Sequence, residues 1–409
     1  MSACGSLPSA GQAGIGRGGM AVRRWQDRYV IGLTGNIAMG KSLVRRMLEH
    51  LGAYTIDADV LAHQAMSPGA PAYKPVVLTF GTWVLDADRR IDRARLGAIA
   101  FAHPEALRRL EAIIHPIVER AIDTLIARSQ RRFVVIEAIK LIEGPLADQV
   151  DSIWVVNASQ QTQIARLIKR GLSQPEALRR IQVQNPQADK LARAHVIIDN
   201  NRTPEETWGQ VRAAWLQIAG AAQAEVLQAA PQRVALKGAA SDGGALAALQ
   251  IIRGTPHTAA QIADVMLRCT GKRLSHDDVL IAFGQKSYLL AVVDKAPVAL
   301  IGFLVENLVT RVDELLILEG RPVAPITAAL VAAVERASRE LQSEVGFVFL
   351  PPDAPPEMSG ALRDQGYEAQ TLETISVPAW REAAREARPD ASAQILSKKL
   401  RARRVLKPL

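Results

Sequence analysis

The run Gly35-Asn36-Ile37-Ala38-Met39-Gly40-Lys41-Ser42 constrains the fold of this chain more than any other stretch. It sits between a short apolar run, Tyr29-Val30-Ile31-Gly32-Leu33-Thr34, and a helical pattern through Leu43, Met47, Leu48 and Leu51 that Gly52 stops. The bracketing glycines let the backbone turn with successive N–H groups facing inward, and the helix that follows adds its positive N-terminal end. A strand, a G-x-x-x-x-G-K-[ST] turn and a helix together make a cradle for polyphosphate. Lys41 can bridge the outer two phosphates, and the Ser42 hydroxyl can ligate Mg²⁺. The expectation is a nucleoside-triphosphate site built from residues 35–42.

The pattern of apolar runs extends this unit into a fold. YVIGLT, AYTI, FVVIEA, SIWVVNA and HVIIDNN are five short strand-like runs separated by helical patterns. They predict an α/β domain, residues 28–220, with a five-stranded parallel sheet covered on both faces. A long, mostly helical insert fills residues 60–130. Thr203 and Pro204 open a further helix as cap and first-turn residue, with Glu206 closing a capping box. Residues 221–244 shift towards Ala, Gln and Gly and read as a linker. From 245 to 380 a second block has strands joined mainly by short turns, with helices predicted from Thr258 to Cys269 and from Pro325 to Leu341, and reads as α+β. Residues 1–27 read as a disordered extension in which Met20 offers a second start, and 381–409 as a basic tail.

The net charge of +9 suits an anionic partner: nucleic acid, an acidic lipid surface or a phosphorylated small molecule. Much of the excess lies at the ends, in Arg17, Arg23, Arg24 and Arg28 and in the closing SKKLRARRVLKPL, and such runs are ordinarily solvated tails. Nucleic acid is therefore not an expected partner. No apolar run reaches the roughly 18 residues of a membrane span. Cys4 and Cys269 make neither a disulfide framework nor a metal site, and the opening lacks the apolar core of a secretory signal, so a cytoplasmic location is expected.

The phosphate loop does not choose what receives the phosphate; the next strand does. YTIDADVLAH places Asp57 and Asp59 at the carboxyl end of the second parallel strand, where ligand crevices lie. Carboxylates there can take a hydroxyl proton and hold Mg²⁺ through water. On spacing alone, Asp59 can instead cap the following helix.

IGLTGNIAMGKS followed by GAYTIDADVLAHQ closely resembles the dephospho-coenzyme A kinase family, and the resemblance continues through FGTWVLDADRRIDRARLGAIAF, LEAIIHP and VIIDNN. It implies transfer of the γ-phosphate of ATP, with Mg²⁺, to the ribose 3′-hydroxyl of dephospho-coenzyme A. Asp59 would then be the base, and Asp57 would support the metal or position the acceptor. The helical insert, with Arg93 and His115, would close over the acceptor, with His63 nearby; neither histidine is expected to act as acid or base. QIARLIKRGLS would belong to a lid, residues 159–187, whose Arg166 and Arg170 reach the ATP phosphates, although a solvated helix face explains them equally. After the third strand the family usually shows an aspartate; here Glu137 keeps the charge one carbon further out and can reach a metal-bound water. Lys140 is an added cation, able to bind acceptor phosphate or to pair with Glu143. The lid also lacks the acidic residue that often stands between Arg170 and Gly171.

The second block weakly resembles the acyl-coenzyme A-dependent N-acetyltransferase fold, which implies binding of coenzyme A or acyl-coenzyme A. Gly320 and Arg321 stand where the pyrophosphate turn should be, but Pro322 and Pro325 each remove an N–H that a phosphate would need. This favours a degenerate, structural or regulatory module. Tyr288 and Tyr367 could serve an acid role in an active version, but core packing explains them as well. The alternatives are a kinase for another nucleoside or small hydroxyl acceptor, a nucleic-acid-stimulated ATPase, and a bifunctional chain that also transfers acetyl groups.

Overall fold

The computed structural model describes residues 24–220, 249–255, 258–283, 286–306 and 308–402. The expected linker and most of the N-terminal extension, including Met20, lie outside these residues. In the first domain the order is β1 (Tyr29–Thr34), α1 (Lys41–His50), β2 (Tyr54–Asp57), α2 (Ala58–Ala65), α3 (Tyr73–Phe80), α4 (Arg93–Ala102), α5 (Pro104–Arg128), β3 (Phe133–Glu137), β4 (Ser152–Asn157), α6 (Gln160–Lys169), α7 (Gln174–Gln182), α8 (Gln187–Ala192), β5 (Val196–Asp199) and α9 (Pro204–Ala219). Its five strands are all parallel in the order β2-β3-β1-β4-β5. Both faces are covered, and strands such as β3 are buried at every residue, which explains their unbroken β-branched runs.

The helical insert is held to the sheet mainly by α5. Ile114, Ile117, Val118, Ala121, Ile122 and Leu125 recur at helical spacing and form one buried face. Each large side chain fully buried there stabilises the fold by about 1.5–3 kcal/mol. The helix passes through Pro116 without ending. Thr203 caps α9 by accepting from the Glu206 N–H at 3.3 Å.

The second domain contains β6 (Gln250–Arg253), α10 (Ala259–Thr270), α11 (His276–Phe283), β7 (Ser287–Val293), β8 (Ala296–Glu306), β9 (Val309–Ile317), α12 (Val323–Glu340), β10 (Val345–Leu350), α13 (Pro356–Asp364), β11 (Glu368–Gln370), α14 (Pro378–Ala387) and β12 (Gln394–Lys399). The sheet order is β11-β12-β10-β9-β8-β7-β6. Neighbours are antiparallel except β9 and β10, which run parallel. This is the α+β arrangement expected from the acetyltransferase resemblance.

Two expectations about the ends are corrected. The stretch from 381 is not simply a basic tail: β12 hydrogen-bonds to β10 on one side and β11 on the other, and α14 covers the same end. Its cation Lys398 is absorbed by Glu335 at 2.6 Å and lies over the Tyr367 ring. At the other end, Arg24 is paired with Asp123 at 2.6 Å and with Glu119 at 3.5 Å, and Arg28 donates to the Ser129 carbonyl.

The domains meet along α1 and the edge strand β2. Leu308, from the β8–β9 turn, joins the apolar cluster of the first domain beside Tyr54, Ile56 and Leu125. Gln342 donates to the Leu125 carbonyl at 2.9 Å, and Arg131 pairs with Glu340 at the rim.

Candidate active site

The turn after β1 occupies the centre of the first sheet. Gly35 has φ +148°, and a Cβ there would stand 2.6 Å from the Val156 carbonyl oxygen. Gly40 caps α1 in the left-handed region at φ +99°, where a Cβ would fall 1.9 Å from Asn200 Nδ2. Close backbone approach and positive φ account for both glycines. Between them Ala38 also has a positive φ of 58°, so the loop holds a conformation its own sequence does not favour.

That conformation is held from outside by polar side chains of α6, of the segment from α7 to α8 and of the turn after β5. Gln163 donates to the Ile37 carbonyl at 2.8 Å. Arg166 donates to the carbonyls of Ala38 and Met39, both at 3.1 Å, and to that of Asn200 at 2.7 Å. Asn200 Nδ2 donates to the Met39 carbonyl at 2.8 Å. On the other flank, the Ile37 N–H donates to Gln184 at 2.7 Å and the Asn36 N–H to Gln187 at 3.1 Å. The N–H groups of the first turn of α1 have no intrahelical acceptor, which leaves them to the phosphate side. Arg166, expected to reach phosphate, is thus engaged with three carbonyls, and Arg170, at the end of α6, is the more exposed member of the pair.

The chemistry-bearing groups converge on the carboxyl ends of β1, β2 and β3. Asp57 and Glu137 are register partners on adjacent strands. Asp57, rather than Asp59, caps α2, accepting the Val60 N–H at 3.0 Å. The capping alternative for Asp59 is therefore removed. Instead Asp59 Oδ2 accepts the Ile139 N–H at 3.1 Å. The Ile139 carbonyl in turn accepts from Thr34 Oγ1 at 3.1 Å and from the buried Lys190 ammonium at 2.7 Å. One residue, Ile139, thereby connects Asp59 to the core of the domain through the peptide groups on either side of it.

Burial and the neighbouring Asp57 charge push the Asp59 carboxyl up to about 6; the Ile139 N–H and Lys41 oppose the shift, and Glu137 adds to it. Glu137 is also raised, first by burial, with Asp57 adding to the effect and Arg45 and Lys41 opposing it. Lys41 is buried, and desolvation lowers its pKa against the pull of Glu137, Asp59 and Asp57. Arg45, which no motif singled out, meets Glu137 at 2.6 Å as an ion contact rather than an aligned hydrogen bond, and stands 3.8 Å from Asp57. The longer side chain of Glu137 finds its partner there.

Around this centre, His63 on α2 is partly buried, and its pKa is lowered by burial and by the charge of Arg93, with Asp57 opposing. His63 and Arg93 are therefore near each other. His115 is exposed on α5. Lys140 pairs with Glu111 of α5 at 3.0 Å, while Glu143 takes Lys190 at 2.8 Å and Asn185 at 3.0 Å. Of the two alternatives for Lys140, the pairing with Glu143 is thus replaced by a contact to the helical insert. Ser42 is exposed at the start of α1. In the second domain Tyr288 and Tyr367 are both buried, as core packing requires.

A parallel sheet with a phosphate loop at its centre, and a buried carboxylate cluster beside that loop's lysine, defines a P-loop phosphotransferase. A sequence model of the dephospho-CoA kinase family matches residues 29–206. A dephospho-CoA kinase of Geobacter metallireducens is 50% identical over 190 residues, which are 46% of this chain and 94% of that one. The solved dephospho-CoA kinase of Campylobacter jejuni is 26% identical, covers 46% of this chain and 96% of its own, and has a TM-score of 0.35. The chain belongs to the dephospho-CoA kinase family, and it transfers the γ-phosphate of ATP to the ribose 3′-hydroxyl of dephospho-CoA. The alternative acceptors considered from the sequence have no such support. A solved PaiA N-acetyltransferase of Thermoplasma acidophilum, described in complex with coenzyme A, is 11% identical, covers 37% of this chain and 98% of its own, and has a TM-score of 0.29.

Proposed function

We propose that Asp59 is the base that takes the 3′-hydroxyl proton. The observation that carries this is a carboxylate poised near 6, oriented by the Ile139 N–H beside the phosphate-loop lysine. The loop of residues 35–42, through the amides that Gln184 and Gln187 leave open, and the Lys41 ammonium hold the ATP phosphates, and the exposed Arg170 guanidinium reaches them as charge develops. His63, Arg93 and His115 line the acceptor side without proton transfer, and Asp57 orients the acceptor. The exposed Ser42 hydroxyl would hold Mg²⁺, with Glu137 reaching it through water, and the ion would neutralise charge on the outer phosphates. The test is transfer of γ-labelled phosphate to dephospho-CoA by Asp59→Asn. Turnover within tenfold of the parent would place the base elsewhere.

The second domain is proposed as a structural or regulatory module that senses coenzyme A. Pro322 and Pro325 open α12 where N–H donors would be needed, which argues against a second catalytic centre. Titration of the full chain with acetyl-CoA, compared with Arg321→Ala, tests this; acetyl transfer to any added amine would overturn it. A cytoplasmic location fits a chain with two widely spaced cysteines, and among the described residues no helix is long and apolar enough to cross a membrane.

A further inference from the structure

The carboxylate cluster is touched by a residue from outside the kinase domain. Arg45 is buried to within 5% of full enclosure, and the three carboxylates within ion-pair distance of it come from three elements. Nε meets Glu137 on β3 at 2.6 Å, while Nη2 lies 3.8 Å from Asp57 on β2 and 3.1 Å from Glu306, the last residue of β8 in the second domain. The neighbouring Arg46 is closed off by Glu49 at 2.7 Å and by the Val305 carbonyl at 3.5 Å, so it cannot substitute for Arg45. Leu308 is seated in the kinase core two residues beyond Glu306 and fixes where Glu306 arrives. A narrow cleft between Arg45, Thr55, Asp57, Glu306 and Leu308 runs along this junction.

We propose that Glu306 is a positioning residue for phosphoryl transfer: by holding the outer edge of the Arg45 guanidinium, the second domain sets how Arg45 divides its charge between Glu137 and Asp57. A guanidinium offers a planar fork of donors, and a partner on one edge fixes what the others can reach. Without Glu306, Arg45 is drawn wholly onto Glu137 and Asp57 and turns both carboxylates away from the reacting centre. This rests on the reading of the acid cluster as that centre.

The experiment measures kcat, both KM values and the melting temperature of the full chain. Glu306→Gln is expected to lower kcat by about five- to tenfold while both KM values and the melting temperature hold. Glu306→Asp is expected to recover part of the loss. In an Arg45→Lys background, Glu306→Gln should add nothing further, because the group through which it acts has changed. Glu340→Gln, which breaks the rim pair with Arg131 at the same interface, is the control and leaves kcat unchanged. An unaltered kcat in Glu306→Gln, or an equal fall in Glu340→Gln, would overturn the proposal. If Asp59→Asn in the same series kept normal turnover, the reading of the acid cluster would fail instead, and the proposal with it.

Discussion

At the residue scale, the site works by placing similar groups in unequal surroundings. Asp57 is consumed by a helix cap, Glu137 by Arg45, and Asp59 is left with one N–H and a raised pKa. Asp59→Asn is expected to lower kcat by about 10²–10⁴-fold. Its acid limb follows from the same shift: below about 6 the carboxyl is protonated and cannot accept the hydroxyl proton, so kcat falls as pH drops through that value. For stability the sign is opposite. The folded pKa lies above the ordinary 3.8, so this group's contribution is fully present below 3.8 and lost as pH rises through about 6. Asn resembles the protonated form and keeps an acceptor for Ile139, so Asp59→Asn at pH 8 should melt no lower than the parent in calorimetry. Asp59, Lys41 and the loop were legible because their spacing is local. Arg45, Gln184 and Gln187 were not, because each acts on a backbone or carboxylate far away in sequence, and nothing in their neighbours marks them.

At the element scale, the phosphate loop is a conformation imposed by its surroundings. Gly40→Ala would force a Cβ into Asn200 in a left-handed turn, which costs about 1–2 kcal/mol in backbone strain alone. The expected result is a lower melting temperature and a KM for ATP raised at least about tenfold. Arg166→Met should raise KM for ATP without altering the second domain, since it removes three bonds to carbonyls around the loop. Both are read by steady-state kinetics and circular dichroism. The five parallel strands could be read from β-branched runs between turns. β12 could not: QILSKK ends in cations, and the partners of Lys398, Glu335 and the Tyr367 ring, are supplied only by the folded domain. Truncation after Arg388 removes a strand bonded on both edges, so the shortened chain is expected to lose cooperative melting in its second domain.

At the scale of the whole molecule, two domains legible as separate blocks share a junction that no block revealed. Its apolar part is Leu308 with Leu341 against Leu125, and its polar part joins the arginine pair of α1 to Glu306 and the Val305 carbonyl, with Gln342 and the Arg131–Glu340 pair beside them. Helix α1 therefore carries the phosphate loop at one end and the join to the second domain along its side. Sequence patterns report burial but not against what, so the same helix reads identically with or without a neighbour.

The far end of α1 adds a consequence. His50 packs edge-on against Phe283 at 5.5 Å, and both its ring nitrogens are sealed from water with no partner among the described residues. Enclosure, with Arg253 and Arg46 nearby, keeps the imidazole uncharged well below its ordinary range. Prying the halves apart would wet that ring and let it take up a proton, so the closed form binds fewer protons than the open one. Acid should act as a solvent for the seam: once the intrinsic pH dependence of amide exchange is divided out, protection at the α1–α11 contact is expected to fall from pH 7.5 to 5.5, and His50→Phe to abolish that fall.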